Sequence, residues 1–177
     1  MLDKNLLSKF IFFSGIAGDK LAAIARRGDL LDFKAGDTIF QIGDSSDNLY
    51  GVVSGEVELN LVYKDKVLQA DITYEEQNQS RIEILEKPIQ VAVVDPGKIF
   101  GWSALTSSRR RTITAKCLEN SQVLSLPGDE LKALFEKDTE LGYILMSRLS
   151  DIISNRLQER TDKLIEAWVE AFDVGAL

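Results

Sequence analysis

Histidine is absent from all 177 residues, and that absence excludes a great deal. It removes Ser–His and Cys–His nucleophilic pairs. It also removes His-ligated haem and disfavours the common zinc sites. Cysteine occurs once, at Cys117. One thiol cannot close an internal disulfide, suits a reducing cytosol and cannot hold an iron–sulfur cluster. Positive charge is in deficit, with 21 Lys and Arg against 28 Asp and Glu, a net charge of −7. That balance argues against a nucleic-acid surface on the chain by itself. Long hydrophobic runs are missing too. Phe10-Ile11-Phe12-Phe13 is far too short to cross a membrane and lacks secretory flanks. A cytoplasmic protein is expected.

What is present supports a folded core, with 45% apolar residues in a length that suits one domain. Residues 3–27 have helical spacing (Leu6, Phe10, Phe13, then Leu21, Ile24, Ala25), broken at Ser14-Gly15 and Gly18-Asp19, with Asp19 expected as an N-cap. From Leu30 to Val62 the period changes to two. Gly36-Asp37, Gly43-Asp44 and Ser54-Gly55 punctuate it with the turn chemistry of antiparallel strands. Residues 64–90 suggest a long hairpin with a polar stretch over 75–81, either a solvated excursion or a partner or lid surface. Ile89 to Val94 is a buried-type strand, and 112–117 and 123–126 continue the sheet. Asp129 is placed to cap a helix through Phe135. The last helix is expected over 139–172, about 50 Å long. Leu145, Leu149, Ile152, Ile153, Leu157, Leu164, Trp168 and Phe172 form one apolar seam along it. A small barrel cannot cover so long a seam. A twofold dimer is the simplest solution, and folding back on the same domain is the alternative.

Residues 96–115, PGKIFGWSALTSSRRRTITA, carry the most chemistry. A strand end leads through Gly97 and Gly101 into one short turn, Trp102-Ser103-Ala104-Leu105, and then an arginine-bearing strand. Backbone N–H groups at the start of such a turn favour an anion. Arg111, ten residues after Gly101, offers a guanidinium that can clamp a phosphate. Arg109, Arg110 and Arg111 repel one another unless an anion lies near, although a solvated basic loop would also account for them. Strand alternation puts Arg111 with Ile113 and Ala115 on the apolar face, and Arg110 with Thr112 and Thr114 on the other. Arg111 is therefore the better ligand and Arg110 the reserve. Cys117 is expected to be a core thiol. No paired carboxylates mark an acid/base site, so an enzyme is not expected.

The segment Phe100-Gly101-Trp102-Ser103-Ala104-Leu105, followed by Arg111-Thr112-Ile113-Thr114-Ala115, resembles the phosphate-binding cassette of the cyclic nucleotide-binding domain family. That family includes catabolite activators and protein kinase A regulatory subunits. The flanks are similar as well, at Phe33, Gly36-Asp37, Ile39-Phe40, Gly43-Asp44, Leu49-Tyr50, Ser54 to Val57, Arg148-Leu149-Ser150 and Arg156-Leu157. The resemblance implies a mainly β fold, a double-stranded β-helix or jelly-roll barrel with N-terminal helices and a long C-terminal helix. It implies a barrel domain over 1–138, and a hinge and dimerisation helix over 139–177. The implied ligand is cAMP, cGMP or another small phosphate, held by Gly101, Trp102, Ser103, Ala104, Leu105, Arg110, Arg111 and Thr112. Metal and catalytic residues are not implied.

One position departs from the family. The glutamate that accepts the ribose 2′-hydroxyl is replaced by Trp102, whose indole can only donate. Trp102 is expected either to contact the ligand or to fill the vacated space. A sensor passing ligand occupancy to its C-terminal helix is the leading expectation. A degenerate dimeric scaffold is the alternative. No helix-turn-helix is expected after Phe172, so DNA binding by this chain alone is not expected.

Overall fold

The computed structural model describes residues 2–69, 81–108 and 110–172. Helices α1 (Lys4–Leu7) and α2 (Gly18–Ala25) flank a 3-10 turn at Ile11–Phe13. The apolar spacing over 3–27 thus becomes two short helices and a turn. Asp19 lies in the first turn of α2, and the capping position is Ala17, so the expected Asp19 cap is corrected. Strands follow: β1 (Asp29–Phe33), β2 (Thr38–Phe40), β3 (Asn48–Ser54), β4 (Val57–Gln69), β5 (Arg81–Val94), β6 (Ile99–Phe100), β7 (Thr114–Cys117) and β8 (Ser121–Pro127). Helices α3 (Gly128–Lys137) and α4 (Thr139–Phe172) complete the chain. The cap of α3 is Pro127 and Asp129 sits in its first turn, a second correction.

The strands form two four-stranded antiparallel sheets, in the orders β1-β8-β3-β6 and β2-β7-β4-β5. This is the mainly β, jelly-roll architecture with N-terminal helices and a long C-terminal helix. The long hairpin is β4 with β5, in register from Val57 opposite Val94 to Gln69 opposite Arg81. Residues 70–80, with most of the polar stretch, lie outside the described residues. Ile89 is half exposed and Val91 to Val93 only partly covered, so β5 is less buried than its composition suggests. The second sheet places part of this strand at an edge with β4 as its one neighbour.

Two apolar clusters hold the fold. One lies between the sheets, where Phe40, Tyr50 and Phe100 stack with centroids 5.4–6.0 Å apart over Val52, Val57, Ala115, Cys117 and Val123. Cys117 is buried there, and burial pushes its thiol pKa up. The other joins the N-terminal helices to β3, β8, α3 and the first part of α4, through Phe10, Phe13, Ile24, Leu49, Leu126, Leu131, Leu141, Leu145 and Leu149. Truncating one of these leucines to alanine costs about 2–5 kcal/mol.

The junction before α4 is also tied down. The Leu141 N–H donates to the Asp138 carboxylate at 3.0 Å. Lys20 of α2 pairs with both Asp138 (3.1 Å) and Glu140 (2.7 Å). The Leu141 N–H, and then Lys20, hold the Asp138 carboxyl below its ordinary pKa. Arg148 adds a bond to the Phe12 carbonyl at 2.9 Å. The seam of α4 then divides. Leu141, Leu145 and Leu149 are fully buried, whereas Leu157 is 66% exposed and Phe172 78%.

Candidate functional site

The site begins at Gly101, where the chain leaves β6 with φ +71°. An added Cβ there would stand 2.8 Å from Arg111 Nη1, so glycine is required both by the left-handed backbone and by the close approach. Trp102–Leu105 then form a 3-10 turn. The Ala104 N–H donates to the Gly101 carbonyl at 3.3 Å, so the expected set of free donors at 103–105 is not all free. Ala104 and Leu105 point inward and are buried.

Arg111 is the centre of the site. Its strand starts later than expected, at Thr114, and Arg111 is held by a separate backbone exchange. Its N–H donates to the Asp44 carbonyl, and its carbonyl accepts from the Gly43 N–H. The side chain is 3% exposed. Nη1 donates to the Gly101 carbonyl at 2.8 Å and to Ser103 Oγ at 3.4 Å, and Nη2 to the Asn48 carbonyl at 2.7 Å. The guanidinium lies over the Phe40 ring, 4.2 Å from its centroid. Three of its five donors are thus engaged, and Nε–H has no protein acceptor. Burial pushes its pKa below the ordinary arginine value, while Tyr50, Asp47 and Asp44 oppose that shift. An arginine stays charged in either case.

A cavity of about 340 Å³ opens over this guanidinium. One wall is the cassette, with Gly101, Trp102, Ser103, Arg111, Thr112 and Ile113. The other wall is α4, which contributes Ile153, Arg156, Leu157 and Arg160. Phe40, Leu59 and Leu61 close the sheet side. Trp102 packs against the helical core cluster and carries the Arg156 guanidinium 5.1 Å over its ring. Arg156 Nη1 is buried without a hydrogen-bond acceptor. Burial pushes the Arg156 pKa down, Glu159 opposes this and Arg160 adds to it. Ser103 Oγ lies 2.6 Å from the buried Ser46 Oγ.

Of the expected ligand-binding residues, the structure brings Gly101, Trp102, Ser103, Arg111 and Thr112 together around one cavity. Ala104 and Leu105 are buried and are not among its lining residues. Arg110 is exposed on the loop, where it donates to the Gly43 carbonyl at 3.0 Å. Arg109 lies outside the described residues. Sequence reasoning did not select Arg156 and Arg160 for the site. A signal was available, because Arg156 follows Leu149 by seven residues and Ile152 by four, placing a cation on the apolar register of α4.

Two antiparallel sheets, a short turn after β6 and an arginine-lined cavity define a jelly-roll domain with a pocket. Comparison with known proteins shows what it is similar to. Residues 78–138 match the family model described as the cyclic nucleotide-binding domain. The CRP-like cAMP-activated global transcriptional regulator of Mycobacterium tuberculosis is 21% identical over 162 residues, 92% of this chain. The chain spans 62% of the length of that relative. Among solved structures, a protein of Geobacter metallireducens GS-15 described as a cyclic nucleotide-binding protein superposes with a TM-score of 0.67 at 25% identity, covering 89% of this chain and 99% of its own. The Thermus thermophilus catabolite activator protein has the same fold, with a TM-score of 0.60, 22% identity and coverage of 90% and 63%. The match of residues 78–138 and these superpositions make the chain similar to cyclic nucleotide-binding domains in sequence over that segment and in fold.

Proposed function

We propose that this chain is a ligand-sensing regulatory module, rather than an enzyme, that binds a cyclic nucleotide or a related small phosphate between the cassette and α4. The observation that carries this is Arg111, a buried cation that floors a cavity and keeps one N–H without a protein acceptor. A buried donor of that kind is costly unless something accepts from it. Gly101 permits close approach, and Thr112 and Ser103 border the same space. α4 forms the opposite wall, so occupancy is sensed by the helix directly. A ligand drawn against both walls would bias the position of α4 relative to residues 1–138, and the helix would pass that bias to a partner.

The partner proposed is a second copy. Leu157, Leu164, Trp168 and Phe172 leave an exposed apolar face on the far half of α4, and a twofold pairing would cover it. Among the described residues no helix is long and apolar enough to cross a membrane. The net charge of −7 disfavours nucleic acid as a partner of these 177 residues. A cytoplasmic location is part of the proposal.

A second reading, a dimeric scaffold without nucleotide, rests on one observation. The Arg111 Nη groups already satisfy the Gly101 and Asn48 carbonyls, so Arg111 also holds the fold together without a ligand. Calorimetric titration with cAMP and cGMP separates the two. Saturable binding that is lost in a folded Arg111→Lys protein supports the sensor. Absence of heat with every phosphate at hundreds of micromolar leaves the scaffold.

A further inference from the structure

The helix wall of the cavity has a chemistry that one phosphodiester does not use. Arg156 and Arg160 sit one turn apart on α4 and both line the space over Arg111. Like charges at this spacing repel each other along a helix. Arg156 is further held against Trp102 with Nη1 buried and lacking an acceptor. No carboxylate lines the cavity among the described residues, so three guanidinium groups face it without an anion among its walls. Glu159 supports the charge of Arg156 but is not among the lining side chains. The acceptor expected for a ribose hydroxyl is also missing, because Trp102 occupies that position and can only donate.

A 3′,5′-cyclic monophosphate brings one negative charge. It would satisfy the Arg111 end and leave Arg156 and Arg160 with nothing to neutralise them. From this we infer that the pocket selects a compact ligand with two separately charged phosphate groups, such as a nucleoside bisphosphate, one group on Arg111 and the other between Arg156 and Arg160. This rests on the phosphate-binding reading above and specifies the ligand class. The pocket size suits a small ligand of this kind, since ligand sites run from about 300 Å³ upward. Guanidinium forks matched to phosphate supply both affinity and orientation. The two walls belong to the sheet domain and to α4, so a ligand with an anion at each end would draw the helix toward the cassette.

The test is calorimetric titration of the whole chain with adenosine 3′,5′-bisphosphate and, in the same buffer, with cAMP. The two share base and sugar and differ in having two free phosphates against one cyclic diester. The bisphosphate is expected to bind at least about tenfold more tightly. Arg160→Gln, at an exposed position that does not threaten folding, is expected to reduce that ratio at least about threefold. Arg156→Gln, checked by thermal melting, is expected to reduce it further. Equal or tighter binding of cAMP overturns the inference and leaves the sensor reading intact. So does a preference that survives Arg160→Gln and a folded Arg156→Gln. If neither ligand binds, the inference falls together with the phosphate-binding reading itself.

Discussion

The two walls of the cavity are built in opposite ways. The cassette wall comes from a single run of the chain, and its cation is tied into the fold. Arg111 is 3% exposed, donates to two backbone carbonyls and stacks on Phe40. The helix wall comes from residues more than forty positions later, and its cations are tied down far less. Arg156 has a face-on contact with Trp102 and a buried Nη1 without an acceptor, and Arg160 is exposed. One wall is preorganised and completes itself. The other is organised only in part. In the proposed sensor, the less tethered wall is the one a ligand would bias.

Breaking the fixed wall should have the largest effect. Arg111→Ala removes the cation, takes the Arg111 donor from the Asn48 carbonyl and leaves the Gly101 carbonyl with the Ala104 N–H alone; a buried carbonyl left without a donor costs about 1–3 kcal/mol. A stability loss of about 2–5 kcal/mol in urea unfolding is expected, with phosphate affinity down at least about a hundredfold. Arg156→Ala, on the adaptable wall, is expected to cost about 1 kcal/mol of stability, in line with one cation–π contact. Equal destabilisation by the two would erase the contrast.

Gly101→Ala comes next. The φ of +71° and the 2.8 Å approach of Arg111 Nη1 to the new Cβ should cost about 1–3 kcal/mol. Phosphate affinity should fall about tenfold as Arg111 is displaced, measured by the same unfolding and titration pair.

Trp102→Glu sharpens the comparison from the ligand side. It restores an acceptor for a ribose hydroxyl, and a hydrogen bond to a charged group contributes about 1.5–3 kcal/mol. The cAMP affinity of the folded variant should rise about tenfold. The bisphosphate preference should shrink, because a carboxylate now sits beside Arg156. A native chain that binds cAMP at micromolar affinity, with a folded variant that binds it more weakly, would make Trp102 a ligand contact in its own right.

The adaptable wall continues into the exposed half of α4. Leu164→Glu, at a side chain 56% exposed, should leave thermal stability of the sheet domain unchanged within about 0.5 kcal/mol. The native chain should scatter light as a dimer at tens of micromolar, and this variant as a monomer. A native monomer removes the dimer from the proposal. The smallest effect is expected at Arg110→Ala, an exposed position whose side chain donates to the Gly43 carbonyl, where phosphate affinity should change less than about threefold.

What could be read from the sequence follows the same division. The cassette is local, so Gly101, Arg111 and their spacing identify it without tertiary information, and alternation correctly favoured Arg111 over Arg110 as the inward side chain. The alternation argument assumed a strand through 111–113. The structure reaches the same burial by a different route, through the backbone pair with Gly43 and Asp44. The start of α4 at Thr139 was legible from its apolar spacing, and the helix runs as expected through Phe172, the last described residue. The face of α4 that would lie over the cassette was not, because the same spacing runs through the buried Leu149 and the exposed Leu157. Tertiary packing decides where the seam stops being covered: Leu141, Leu145 and Leu149 share one cluster with the N-terminal residues Phe10, Phe12 and Leu21. Helix caps misled for a local reason. Asp19 and Asp129 each have acidic chemistry suited to a first turn, and both serve there rather than at the cap.

The most direct test is a calorimetric titration of the whole chain and of its folded Arg111→Lys variant with cAMP and with adenosine 3′,5′-bisphosphate. Lysine keeps the charge but loses the fork that reaches Gly101, Asn48 and the cavity at once. The expected result is saturable binding near one ligand per chain for the native protein, and at least about tenfold weaker binding for the variant. Equal binding by the two proteins, or no binding by the native chain at hundreds of micromolar, would contradict a phosphate site built on Arg111.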